Sequence, residues 1–213
     1  GSERYPVREP FVELMKTSMN TFLNAMTYPD KTYYPISSRN PKDFLNLMRV
    51  YLDAVFHPLI YSRPEIFRQE GWHYELDAES RPGRKGVVYN EMRGAFADAD
   101  ELEENAIMRA LYPDTPYRFV SGGDPEHIPE LTYEKFLDFH RRFYSPSNAY
   151  VFLDGDVDID AVLGILDGEY LASAEPEERL PVPGLERPVR APEQRGAYEL
   201  PAEEDEGERY RLA

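Results

Sequence analysis

The sequence predicts a mixed α/β domain of helices layered with strands, and three stretches carry that prediction. Between residues 40 and 56, Phe44, Leu47, Met48, Tyr51, Leu52 and Val55 fall on one helical face. Trp72, Tyr74 and Leu76 alternate with His73 and Glu75, the period of two that marks a strand. Thr132 then introduces a second helical stripe of Phe136, Leu137, His140, Phe143 and Tyr144, after which residues 149–153 read as a short apolar strand.

The remaining elements follow in chain order. Pro10 suits a first helical turn, and Phe11, Leu14, Met15 and Ser18 continue the spacing, so a helix is expected over residues 10–20. Residues 21–38 are aromatic and threonine-rich and are broken at Pro29-Asp30, which predicts a hairpin. Pro35 cannot donate to a ladder, so Tyr34-Pro35-Ile36 is placed on a sheet edge. The helix over 40–56 is bracketed by Pro41 and Pro58. Trp72, Tyr74 and Leu76 are expected half-buried, Arg81-Pro82-Gly83 is read as a turn, and helices resume over 86–94 and 98–111. Residues 112–129 are loop-like, Gly122-Gly123 is a structural turn, and Pro146 stops the helix that Thr132 starts. Asp158 caps a last helix whose Ile159, Val162, Leu163 and Leu166 point inward. From 173 to 208 the chain turns to Pro, Glu and Arg. We therefore expect residues 1–174 to form one unit and 175–213 to be a connection that ends, from Arg209, in the start of a further strand.

Composition narrows the function. The 213 residues suffice for a buried core, and 41% hydrophobic content with sixteen tyrosines and eleven phenylalanines is that of a folding chain. The absence of cysteine excludes disulfides, thiolate metal sites and cysteine nucleophiles. Forty acidic residues against twenty-four basic ones give a net charge of −16, which argues against nucleic acid and anionic membranes as partners and favours cationic peptides. No apolar run approaches the ~20 residues of a membrane span, so a soluble protein is expected.

Six stretches then carry a resemblance: RYPVREPF at 4–11, NTFLNAMTYPD at 20–30, QEGWHY at 69–74, GVVYNEM at 86–92, SGGDP at 121–125 and YSPSNA at 144–149. In this order and register they resemble presequence-protease-type zinc metallopeptidases of the pitrilysin/insulinase family. The resemblance covers residues 3–156. It implies an N-terminal catalytic domain with a mixed, largely antiparallel sheet and helices packed on it, here in part.

In that family, zinc is held by an inverted H-x-x-E-H motif on a helix, with the glutamate activating water. The resemblance places this motif just before Gly1. His57, His73, His127 and His140 are 16, 54 and 13 positions apart, so no pair has the i, i+4 spacing that aims two imidazoles at one ion. The family's third ligand is a downstream glutamate, and Glu91 matches it. Asn24 and Ala25 match the edge-strand segment beside which an extended substrate lies, with the Asn24 amide placed to orient the scissile carbonyl. His73 is read as part of an amphipathic strand and His140 as a core histidine.

The implied parent is a Zn2+-dependent endopeptidase that degrades short or unfolded peptides with the help of its C-terminal half. It would reside in a bacterial cytoplasm or an organelle matrix. The 213 residues alone are expected to be inactive. The alternatives are a non-catalytic partner subunit of the same fold, or a peptide-binding module that is indifferent to zinc.

Overall fold

The computed structural model describes residues 1–172, 174 and 175. The expected connection beyond residue 175, and the strand expected to begin at Arg209, lie outside the described residues. Among those residues the chain forms two units. One comprises residues 1–27, 32–67 and 131 onward; the other comprises 28–31 and 68–130.

The first unit is organised by the helix α2, and its elements follow local rules. Helix α1 (Pro10–Thr17) has proline in its first turn and stops where the Ser18 hydroxyl and the Asn20 side-chain amide both donate to Leu14 O. It therefore ends before the expected residue 20. The hairpin is present as two successive antiparallel ribbons: β1 (Asn20–Leu23) pairs with β4 (Ile36–Ser38), and β2 (Met26–Thr27) pairs with β3 (Thr32–Tyr33). Pro35 falls in the gap between β3 and β4, where no ladder N–H is required.

Helix α2 (Pro41–Phe56) begins at Asn40, whose Oδ1 accepts the Asp43 N–H at 3.0 Å. It is buried on two sides. Leu47, Val50 and Tyr51 pack with Leu14, Phe11 and Ile36, while Met48 packs with Val162, Ile165 and Tyr170. Each fully buried aliphatic side chain of this kind contributes about 1.5–3 kcal/mol. Helix α3 (Pro64–Glu70) follows a short 3-10 turn over Leu59–Tyr61, and its Phe67 meets Phe136 on α6 (Tyr133–Phe143) at a ring separation of 5.4 Å. Thr132 caps α6 by accepting the Lys135 N–H, and Asp158 caps α7 (Ile159–Leu166) by accepting the Ala161 N–H at 3.0 Å. The chain then tightens into a π turn over Asp167–Leu171.

The strand expected over 149–153 does not form. Tyr150 and Phe152 are 81% and 88% exposed, and no strand ladder reaches this stretch among the described residues. Apolar, β-prone sequence is not sufficient for a strand, which also needs a neighbour to hydrogen-bond. On α7, Val162 and Ile165 are buried as expected, but Ile159 and Leu163 are exposed.

The second unit has a smaller core. Strand β5 (His73–Leu76) pairs with β6 (Pro82–Lys85), so the residues read as a turn at Pro82-Gly83 belong to a strand. The actual turn comes earlier, where Asp77 Oδ1 accepts the N–H groups of Glu79 and Arg81. Proline is tolerated at the first residue of such a strand. Of the face expected to be half-buried, Trp72 packs against the Tyr89, Met92 and Ile128 cluster, whereas Tyr74 is 62% and Leu76 64% exposed on this two-stranded arm. Helices α4 (Val87–Ala95) and α5 (Ala99–Leu111) follow as expected. Tyr89 and Met92 of α4 meet Ile128 in the core, whereas α5 has no buried residue.

Candidate functional site

Glu91 is positioned by the burial of its neighbours. On α4 the inward stripe is Tyr89 and Met92, so Glu91 turns outward and is exposed. The start of the helix is fixed by Gly86, which has φ 151° and lies so close to Gly71 that an added Cβ would come within 2.1 Å of the Gly71 carbonyl oxygen. Only glycine fits that approach. The exposed Glu91 carboxylate on this fixed helix is available as a single oxygen donor.

The second unit's histidines are occupied with other groups. His73 Nδ1 is 2.7 Å from Arg68 O, and its Nε2 lies 4.0 Å from Glu75. This backbone contact, rather than alternating burial, accounts for His73. His127 pairs with Glu130 at 3.0 Å, and that hydrogen bond raises its pKa above the usual imidazole value. Among the described residues no group of three His, Cys, Asp or Glu side chains could hold a metal ion. Glu91 belongs to no such group among the described residues.

Asn24 and Ala25 are in the first unit, in the gap between β1 and β2, and both are exposed. The Asn24 N–H donates to Pro35 O at 3.2 Å, tying this point of the strand to its hairpin partner. The Ala25 N–H donates to Asn24 Oδ1 at 2.9 Å. With Oδ1 engaged, the Nδ2 amino group is the half of the carboxamide left to donate outward. Ladders pair β1 and β2 on one side only among the described residues.

His140 is a structural histidine, as its place on α6 predicts. Its Nε2 lies 2.8 Å from Val55 O, its Nδ1 lies 2.7 Å from Tyr61 Oη, and its ring stacks on Tyr144 at 4.8 Å. A carbonyl can only accept, so Nε2 carries the proton and Nδ1 accepts from tyrosine. Burial lowers its pKa. Tyr144 also accepts from Tyr34 Oη at 3.0 Å, and burial drives the Tyr34 pKa far upward.

Sequence reasoning missed Asp53. It is a fully buried carboxylate on α2, three residues beyond Val50 on the same buried side. That spacing was the one available signal.

A family model described as the peptidase M16 inactive domain matches residues 130–211, a stretch that includes none of Asn24, Ala25 and Glu91. Protein HypA of Clostridium perfringens is 55% identical over 179 residues, covering 84% of this chain and 18% of that protein. Presequence protease 1, chloroplastic/mitochondrial, of Arabidopsis thaliana is 52% identical over 172 residues, covering 80% of this chain and 16% of its own length. The mitochondrial presequence protease of Mus musculus is 46% identical over 176 residues, covering 81% and 17%. The chain thus spans less than a fifth of the length of these relatives.

Proposed function

Since this chain belongs to the presequence-protease-type group of the pitrilysin/insulinase (peptidase M16) family, we propose that its parent protein is a zinc-dependent endopeptidase acting on short or unfolded peptides. The observation that carries this reading is the identity of 52% and 46% with two presequence proteases over four-fifths of the chain.

The proposed contributions of this chain are two. Glu91 supplies one carboxylate to the metal, alongside two histidines and a catalytic glutamate of an H-x-x-E-H helix in the parent. Bound zinc would polarise the scissile carbonyl and lower the pKa of water to about 7. The Asn24–Ala25 gap receives an extended peptide by strand addition, with backbone groups giving affinity and the Asn24 amino group directing a substrate carbonyl. The exposure of all three residues and the rigid setting of α4 support these roles. The net charge of −16 favours cationic peptides as substrates.

The rest of the parent completes the enzyme, including its C-terminal half. Residues 1–174 are proposed as part of the peptidase domain and 175–213 as the passage to the next. No described helix is long and apolar enough to cross a membrane. We place the parent in a bacterial cytoplasm or an organelle matrix.

The test is Glu91→Gln in the parent protein. We expect loss of bound zinc and of chelator-sensitive peptide hydrolysis, with the 213-residue chain alone inactive in the same assay. A Glu91→Gln parent that retains zinc and full turnover removes the ligand role. A wild-type parent that binds peptides without cleaving them is the non-catalytic partner or binding module instead.

A further inference from the structure

Residues 1–5 are held on the C-terminal end of α2. The Glu3 N–H donates to His57 O at 3.0 Å, the Leu59 N–H donates to Gly1 O at 3.2 Å, and Ser2 forms an antiparallel bridge with Pro58. Chain ends fray unless they are tied down in this way. Beneath them Asp53, 0% exposed, accepts the Arg4 N–H on Oδ2 at 2.9 Å, and its Oδ1 lies 3.7 Å from Arg4 Nε.

A second carboxylate closes on the same arginine from the solvent side. Glu169 takes Arg4 on Oε2 at 2.6 Å and Arg49 on Oε1 at 2.8 Å. It is presented by the π turn over Asp167–Leu171, whose Tyr170 lies under the Arg4 guanidinium at 5.4 Å and donates to Arg49 O at 3.1 Å. A hydrophobic residue at position 53 would fill the core without the desolvation cost of a buried charge. What the aspartate adds is direction, because it grips a main-chain N–H and so fixes the path of the backbone.

We infer that Asp53 is a positioning residue that, with Glu169, locks the path of residues 1–5 and thereby orients the polypeptide preceding Gly1. This inference rests on the proposed function, in which that polypeptide carries the H-x-x-E-H helix. Asp53 acts on the site only through the main chain.

Amide hydrogen exchange in the parent protein reads the clamp directly. Asp53→Ala should speed exchange at Arg4 by about ten- to a hundredfold, the effect of losing a hydrogen bond to a charged acceptor. The Leu47 and Val162 amides report whether the core stays folded. Asp53→Asn keeps a weaker, neutral acceptor and should restore part of the protection; it also carries the test if the alanine variant does not fold. Arg4 exchange at the wild-type rate in a folded variant overturns the clamp. In the parent, Asp53→Asn should lower kcat about ten- to a hundredfold with KM unchanged, as a small misplacement of catalytic groups does. A parent variant with wild-type kcat overturns the positioning role. If the wild-type parent hydrolyses nothing, the proposed function fails, and the exchange rates alone decide the clamp.

Discussion

The two units reach order by different means. The first is built around α2, which is buried on two sides and feeds two apolar clusters drawn from distant parts of the chain, Leu14 to Val162. The second centres on Tyr89, Met92 and Ile128, and it carries a helix, α5, with no buried residue and a two-stranded arm with exposed apolar side chains. The contrast assigns the proposed roles different kinds of support. The strand gap at Asn24 belongs to a unit held by long-range packing, whereas Glu91 depends on one helix set by a tight glycine contact.

The sharpest way to break this contrast is to hollow out each unit. Leu47→Ala should cost about 2–5 kcal/mol, since Leu47 is fully buried. Leu102→Ala on α5, where the side chain is only half-buried, should cost less than about 2 kcal/mol. Guanidinium unfolding followed by circular dichroism measures both, and equal losses would abolish the distinction. Next in size is Gly86→Ala, expected to cost about 1–3 kcal/mol from the positive φ alone, with the Gly71 carbonyl contact adding to it. In the parent it should also weaken zinc binding through Glu91. Intact zinc affinity would show that α4 tolerates the shift.

Two smaller effects test the first unit. Asn40→Ala removes the cap of α2 and should lower stability by about 1 kcal/mol, read as a shift in the unfolding midpoint. The smallest comes from a single half-buried imidazole. Burial holds the His140 pKa below its unfolded value near 6.5, so the unfolded chain takes up the proton first as pH falls. The neutral His140 contribution is fully present above that value and is lost as pH drops through it toward the folded pKa. His57, Tyr61, Tyr144 and the nearby Arg141 surround this ring. His140→Gln should flatten that part of the stability–pH curve, and an unchanged slope would assign it to other groups.

What the sequence revealed was what local physics decides. The caps at Thr132 and Asp158 each bond as their residue types predict, and α2 and α6 follow from apolar spacing. The features that stayed hidden depend on neighbours distant in sequence. Residues 149–153 have strand composition but no ladder among the described residues, β6 reads as a turn because of Pro82-Gly83, and Tyr74 and Leu76 alternate without being buried. Asp53 drew no reading from the sequence because its partner, the Arg4 N–H, is 49 residues away. Glu91, Asn24 and Ala25 were identified by resemblance alone; their geometry here is local, an exposed carboxylate and an exposed strand gap.

The extended stretch around Tyr150 and Phe152 has a practical consequence. These two aromatics are the most exposed of the large apolar side chains described, on backbone that no ladder protects among the described residues. A chymotrypsin-like protease should therefore nick the chain there before it attacks α2. The cut would leave Leu153 and Val157 in the cluster that Val162 and Ile165 form with Met48, so the two fragments should co-elute under native conditions and separate only in denaturant.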